Sequence, residues 1–243
     1  MSSSGLKKQK FQFMTDVNKK QELSDSTEPA IAYTHCCVSV AVSKDGISLI
    51  HGDSFQALKG YGDNYFDVAI VDPPYGIGIS SNSFRQKQTK YNWDDAVPSK
   101  EYFDELMRVS KNQIIWGGNY FDLPASQGFV IWDKKQPQDF SSAMCEMAWM
   151  SFQKPAKIFR KHVVTAEPNK IHPTQKPVEL YRWLLDLYMN ECDLILDTHL
   201  GSGSIAIACH KMKRKLIGYE INSEYYESAC KRFEEETRQL ALW

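Results

Sequence analysis

The chain has 243 residues, 42% hydrophobic and 24% charged, enough for a globular domain with a substantial core, which excludes a fibre, a mini-protein or a disordered chain. Lys plus Arg total 29 and Asp plus Glu 30, so the net charge of -1 excludes a protein that coats nucleic acid or membrane by bulk attraction. With no apolar run near the roughly 20 residues that span a bilayer, and a start (M-S-S-S-G-L-K-K-Q-K) lacking the apolar core of a secretory signal, a cytoplasmic protein without a membrane partner is expected.

Residues 1–32 are polar and charged with few apolar positions, and they read as a disordered tail. Residues 33–243 read as a single domain in which short apolar runs alternate with helical patterns. The runs are Ile47–Ile50, Asp67–Val71, Gln113–Trp116, Phe129–Trp132, Met147–Phe152, Leu194–Leu196 and Leu216–Tyr219, which gives seven candidate strands. Between them the period changes to 3.6. Leu180, Trp183, Leu184, Leu187 and Tyr188 line one helix face after Pro177, Ile205, Ala208, Cys209 and Met212 a second, and Tyr226, Ala229, Cys230 and Phe233 a third, capped by Asn222 or Ser223. Alternating strands and helices predict an α/β fold with a seven-stranded, mostly parallel, doubly wound sheet. Ligands of such sheets sit at the carboxyl ends of the strands. The six cysteines, without a C-x-x-C pair, read as reduced, mostly buried thiols, and no metal is expected.

After the run Leu194–Leu196 comes Asp197-Thr198-His199-Leu200-Gly201-Ser202-Gly203-Ser204, and the next run ends at Glu220. The glycines allow a tight turn and a close approach of backbone to ligand, while an acid at the end of the next strand can accept from ribose hydroxyls. This predicts a nucleoside site. The spacing alone leaves a dinucleotide cofactor open.

The run Asp67–Val71 leads straight into Asp72-Pro73-Pro74-Tyr75-Gly76, where two prolines stiffen the backbone and remove two amide donors. An exocyclic amine on an aromatic base has its lone pair delocalised into the ring. Accepting both its hydrogens, by the Asp72 carboxylate and the Pro73 carbonyl, favours a pyramidal nitrogen and aims that lone pair, and Tyr75 can stack on the base.

With these two motifs the sequence resembles the amino-group DNA methyltransferases that use S-adenosylmethionine, in motif order their β group, over about residues 45 to 240. The resemblance implies a Rossmann-like class I methyltransferase fold in circularly permuted order, with the D-P-P-Y half first. It implies catalytic roles for Asp72, Pro73, Pro74 and Tyr75. Ile50-His51-Gly52-Asp53-Ser54 matches the family's opening block, which implies Asp53 near the cofactor adenine. His172-Pro173-Thr174-Gln175-Lys176-Pro177 matches its second signature, which implies Thr174 and Lys176 near the methionine end of the cofactor. Asp72 is counted at the cofactor too, Asp197, Gly201, Ser202, Gly203 and Ser204 match the methionine-binding loop, and Glu220 the ribose ligand. Thr198-His199 stand where the family usually has Pro-Phe.

The expected activity is methyl transfer from S-adenosylmethionine, leaving S-adenosylhomocysteine, to the exocyclic amine of a flipped DNA base at a specific site, as in restriction-modification. N6 of adenine ranks first and N4 of cytosine second, since the family more often has Ser in place of Asp72 for cytosine. RNA adenine, a dinucleotide-dependent dehydrogenase and a non-catalytic DNA-binding module rank lower, because the last two leave D-P-P-Y or the glycine loop unexplained. Carbon-5 cytosine chemistry needs a cysteine nucleophile, and no Pro-Cys step is present. DNA is the expected partner. Residues 154–171 form a short basic insertion expected to contact phosphates; the stretch from Ser80 to Tyr91 reads as a second DNA-contacting loop ahead of a plain solvated loop, and Trp116-Gly117-Gly118-Asn119-Tyr120 reads equally as a wall of the base pocket or a glycine turn capped by an aromatic. So short a recognition segment suggests a short or relaxed target, a homodimer that shares the reading, or a preference for flexible or single-stranded DNA.

Overall fold

A computed structural model describes residues 40–77, 97–137, 139, 143–162, 171–172 and 174–238. The proposed tail, the stretch from Ser80 to Tyr91, Cys36, Cys37, Pro173 and Lys170 lie outside the described residues. Nine strands among them form one sheet: β1 (Val40–Lys44), β2 (Ile47–His51), β3 (Phe66–Val71), β4 (Ser110–Trp116), β5 (Phe129–Asp133), β6 (Cys145–Met150), β7 (Lys157–Arg160), β8 (Leu194–Asp197) and β9 (Lys215–Glu220). They lie side by side in the order β1-β2-β9-β8-β3-β4-β6-β5-β7.

All seven apolar runs are strands, and the α/β class is as expected. The sheet is mostly parallel, as expected, and the strand count is a correction. β1 and β7 are additional, and the pairs β1·β2, β4·β6 and β5·β6 are antiparallel, while the other five are parallel. β1 joins β2 through Asp45-Gly46, both at positive φ (51° and 79°), the backbone that a two-residue hairpin turn demands. β7 is short and flanked by Lys157 and Arg160, which suits a sheet edge and hides its strand character in a basic stretch.

Among the described residues five α-helices connect the strands: α1 (Ser54–Leu58), α2 (Lys100–Val109), α3 (Val178–Tyr188), α4 (Ser204–Lys211) and α5 (Ser223–Glu236). α3 packs on α4, α4 and α5 pack on β2 and β9, and α2 packs on β4. The α3 stripe is as read, although Trp183 and Leu187 are only partly covered and Pro177 is the N-cap rather than the first helical residue. α4 differs more: Ser204 to Cys209 are all buried, so the helix is covered on every side and Met212 lies at its margin. The Asn222 side chain caps α5 by accepting from the amides of Glu224 and Tyr225. Cys209 and Cys230 are buried free thiols, whereas Cys145 and Cys192 are exposed, contrary to the reading of mostly buried cysteines. Among the described residues no helix is long and apolar enough to cross a membrane, and no group of three or more His, Cys, Asp or Glu could hold a metal ion.

β3 lies between β8 and β4. The chain leaves β3 toward β4 on one side and leaves β8 toward β9 on the other, so the strand order reverses between β3 and β8. A crevice opens at the carboxyl ends of two strands that diverge in this way. Asp72 directly follows β3, and Asp197 is the last residue of β8.

Candidate active site

On the β8 and β9 side of the switch point, Gly201 and Gly203 take positive φ (52° and 71°), as the turn from β8 into α4 requires. The Gly201 amide donates to Glu220 Oε2 (2.8 Å), and the Asn222 amide to Oε1 (2.9 Å), so the loop and the end of β9 hold each other. Asp197 accepts from the His199 amide (3.0 Å). It is almost wholly buried, and burial, with the Asp72 and Glu220 carboxylates nearby, pushes its pKa up to about 8. Such a carboxyl has strong reason to take a cationic partner. Ser202 and Ser204 are buried, and Arg232 donates to the Ser202 carbonyl (2.9 Å) and the Ser204 hydroxyl (2.8 Å), which fixes the loop's far side.

A cavity of about 250 Å³ adjoins this loop, lined among others by Asp53, Pro74, Tyr102, His199, Glu220 and Ile221. Asp53 is the N-cap of α1, its Oδ1 accepting from the amides of Phe55 (2.9 Å) and Gln56 (3.3 Å). Tyr102 was not singled out from the sequence. Its hydroxyl meets that of Thr198 (2.6 Å), and Thr198 in turn meets His199 Nδ1 (2.9 Å), so the unusual Thr-His pair is anchored to α2. Burial lowers the His199 pKa to about 4, so the ring is a neutral aromatic wall, edge-on to Tyr102 (5.6 Å between centroids).

On the β3 and β4 side, Asp72 sits in a half-buried charge cluster around the buried Lys176. Tyr75 donates to Asp72 Oδ1 (2.6 Å), and the Lys176 ammonium lies 2.5 Å from Asp72 Oδ2. Burial raises the Asp72 pKa against the pull of Lys176. Burial alone would depress Lys176, but Asp72 and Glu146 hold its ammonium above the usual lysine range. Breaking such a pair by removing one partner typically costs about 3–5 kcal/mol. Tyr75 stacks on Tyr120 (5.0 Å, 14°), and Gly117 passes under its ring. The Trp116–Tyr120 turn is therefore brought to Tyr75.

The second signature bridges the halves. His172 lies 3.8 Å from where a Cβ on Gly201 would stand, and Lys176 reaches Asp72. Thr174 is turned to His172, its hydroxyl 3.1 Å from Nδ1, and does not line the cavity. Asp53, Pro74 and Glu220 thus share the cavity wall, Asp72, Tyr75 and Lys176 share the charge cluster, and Asp197 with Gly201, Ser202, Gly203 and Ser204 forms the loop beside both. Sequence reasoning missed Glu146 on β6 and Lys134 after β5. Lys134 Nζ lies 2.6 Å from Glu146 Oε1, and Lys176 Nζ 3.1 Å from Glu146 Oε2. The available signal was an acid inside the otherwise apolar strand Cys145-Glu146-Met147-Ala148-Trp149-Met150.

The basic segment after β6 is more tied down than its composition suggested. Lys157–Arg160 belongs to the sheet as β7. Lys161 pairs with Glu179 (3.0 Å), Arg160 lies 3.5 Å from Asp133, and Lys154 donates to the Leu187 carbonyl (3.1 Å).

Residues 130–231 match the family described as DNA methylase, N6_N4_Mtase. Among curated proteins, the type II methyltransferase M.HpaI of Haemophilus parainfluenzae is 27% identical, covering 77% of this chain and 74% of its own. The type II methyltransferase M2.DpnII of Streptococcus pneumoniae is 26% identical, covering 80% and 92%. The fold is shared with the cytosine-N4-specific PvuII DNA methyltransferase (TM-score 0.53, 14% identity, 82% of this chain and 88% of that one). It is also shared with M1.HpyAVI in its SAM complex (TM-score 0.51, 20% identity, 76% and 98%). These matches bear out the resemblance carried by D-P-P-Y and H-P-T-Q-K-P, and they support an amino-methyltransferase.

Proposed function

We propose that residues 33–243 are one catalytic domain that moves the methyl group of S-adenosylmethionine to an exocyclic amine of a flipped DNA base, with N6 of adenine as the target. The observation that carries this reading is the half-buried Asp72 carboxylate, paired with the buried Lys176 at the carboxyl end of β3, across the switch point from the Asp197 loop. DNA as the substrate is supported by the curated type II methyltransferase relatives and the DNA methylase family match.

The chain's residues fit the cofactor. The buried Asp197 carboxylate suits the methionine ammonium, the positive-φ Gly201 and Gly203 let backbone approach its carboxyl end, Glu220 suits the ribose hydroxyls, and Asp53 and His199 wall the adenine. S-adenosylmethionine supplies an electrophilic methyl on sulfur. With the cofactor held there, the target nitrogen would take that methyl as the carbon–sulfur bond breaks, and S-adenosylhomocysteine would be released. Asp72 and the Pro73 carbonyl accept the amine hydrogens and aim the lone pair, and Asp72, with its raised affinity for protons, takes the one the nitrogen sheds. Positioning of this kind supplies about 7–11 kcal/mol. Extruding the base costs a few kcal/mol, and stacking on Tyr75, worth roughly 1–3 kcal/mol, offsets much of that.

The second reading is N4 of cytosine, which the fold shared with a cytosine-N4-specific enzyme favours. Base composition after digestion of DNA from cells expressing the chain separates the two. N6-methyladenine that depends on Asp72 supports the first reading, N4-methylcytosine the second, and no modified base removes both.

A further inference from the structure

Asp72 has two carboxylate oxygens, and both are engaged inside the protein: Tyr75 donates to Oδ1 at 2.6 Å, and the Lys176 ammonium sits 2.5 Å from Oδ2. If Asp72 receives the amine to be methylated, as proposed above, the incoming N–H and the Lys176 ammonium want the same oxygen. The Lys176 side chain is only 1% exposed and is flanked by the Trp116 ring at 5.0 Å and the Tyr75 ring at 5.9 Å, so it has no path into water. A buried ammonium without a counter-ion is costly. Its second counter-ion is Glu146, whose Oε2 is 3.1 Å away. That oxygen is buried, and beyond the Lys176 ammonium it has no other hydrogen-bond partner among the described residues, so it can take a closer contact from Lys176.

We infer that Glu146 is a positioning residue that draws the Lys176 ammonium off Asp72 when the target amine arrives, so that the acceptor is shielded in the free enzyme and exposed to substrate. The motion is small, because Lys176 already lies between the two carboxylates. Lys134 opposes it by holding Glu146 through its other oxygen at 2.6 Å. The remaining titratable groups around the cluster are Tyr75 beside Asp72, His172 before Lys176, Tyr181 on α3 and Asp197 on β8. The two lysines keep Glu146 ionised despite its burial, with a pKa of about 2. It therefore remains an anion at any working pH.

The inference rests on the functional reading above, and the test separates the two. Transfer of labelled methyl from S-adenosylmethionine to unmethylated genomic DNA is followed for the wild type, Glu146→Gln, Glu146→Asp and Lys134→Met, with melting temperature as the control for folding. Glu146→Gln leaves Lys176 with Asp72 alone, so kcat/KM for DNA falls at least tenfold while KM for S-adenosylmethionine is unchanged, and Glu146→Asp recovers part of the loss. Lys134→Met frees Glu146 to compete for Lys176, so kcat/KM for DNA rises severalfold. Losses in both variants, no change in either, or a rise in KM for S-adenosylmethionine that accounts for the effect would overturn the inference while leaving an active wild type and the functional reading intact. A wild type that transfers no methyl strikes the functional reading itself and this inference with it. If Glu146→Gln does not fold, Lys134→Met decides alone, since damage to the structure does not raise activity.

Discussion

A Cβ placed on Gly117 would lie 2.2 Å from Cε1 of Tyr75, closer than any side chain could tolerate. Gly117 also has φ of 71°, a conformation an L side chain occupies at a cost of roughly 1–2 kcal/mol. Tyr75 is held between this glycine, the Tyr120 ring and the Asp72 carboxylate. Gly117→Ala is expected to push Tyr75 off its stacking position and to lower methyl transfer about a hundredfold, as a displacement near 1 Å can do. Calorimetric titration with S-adenosylmethionine is the check, because affinity there is expected to change little.

Asp197 carries a linkage that calorimetry can read. Its folded pKa of about 8 leaves it protonated near pH 7 in the free protein, and pairing with the methionine ammonium of S-adenosylmethionine strips that proton. Binding is expected to release a proton near pH 7 and to tighten as pH rises toward 8. Titration in two buffers of different ionisation enthalpy measures the release. Asp197→Asn should weaken binding and lose the pH dependence, and a wild type that binds without proton release would contradict the assignment.

His199 is shifted in the opposite direction and leaves a signature in stability. Its pKa falls from 6.5 to about 4 because it is buried neutral, so its contribution is present above pH 6.5 and is lost as pH falls through 4. His199→Phe removes that contribution to acid sensitivity, at the cost of the bond from Thr198 (2.9 Å). Melting curves should show the variant losing less stability than the wild type between pH 6.5 and 4. Parallel curves would mean the imidazole is not buried neutral.

The basic segment makes a salt-dependence prediction that the ion pairs sharpen. Lys161 is engaged by Glu179, whereas Lys157 lies exposed on β7. If Lys157 meets a phosphate, Lys157→Gln flattens the slope of log affinity against log salt by about 0.9 on duplex DNA, and Lys161→Gln changes it less. Equal slopes for wild type and both variants would show that this segment faces solvent.

The strands carrying the two motifs were legible because each is a buried apolar run broken by a residue with a backbone constraint: Pro73 and Pro74 after β3, Gly201 and Gly203 after β8. β1 was legible too in principle, since Asp45-Gly46 between two apolar stretches is a hairpin signal, but the long run through Cys36 and Cys37 obscured where a strand would begin. β7 was not, because a four-residue edge strand needs only Ile158 and Phe159 to pair, and Lys157 and Arg160 read as a phosphate-binding stretch. The Glu146–Lys176 contact joins residues from β6 and the segment before α3. Nothing local in either segment encodes the partner; only the sheet order, with β6 inserted beside β4, brings them together.

The central claim is that Asp72 handles the amine while Asp197 holds the cofactor, and one paired measurement tests it: methyl transfer to DNA and S-adenosylmethionine affinity, determined side by side for Asp72→Ala and Asp197→Ala. The account predicts that Asp72→Ala abolishes transfer with affinity reduced far less, and that Asp197→Ala weakens affinity at least tenfold. An Asp72→Ala enzyme with near wild-type turnover, or an Asp197→Ala enzyme that folds and binds S-adenosylmethionine unchanged, would contradict it.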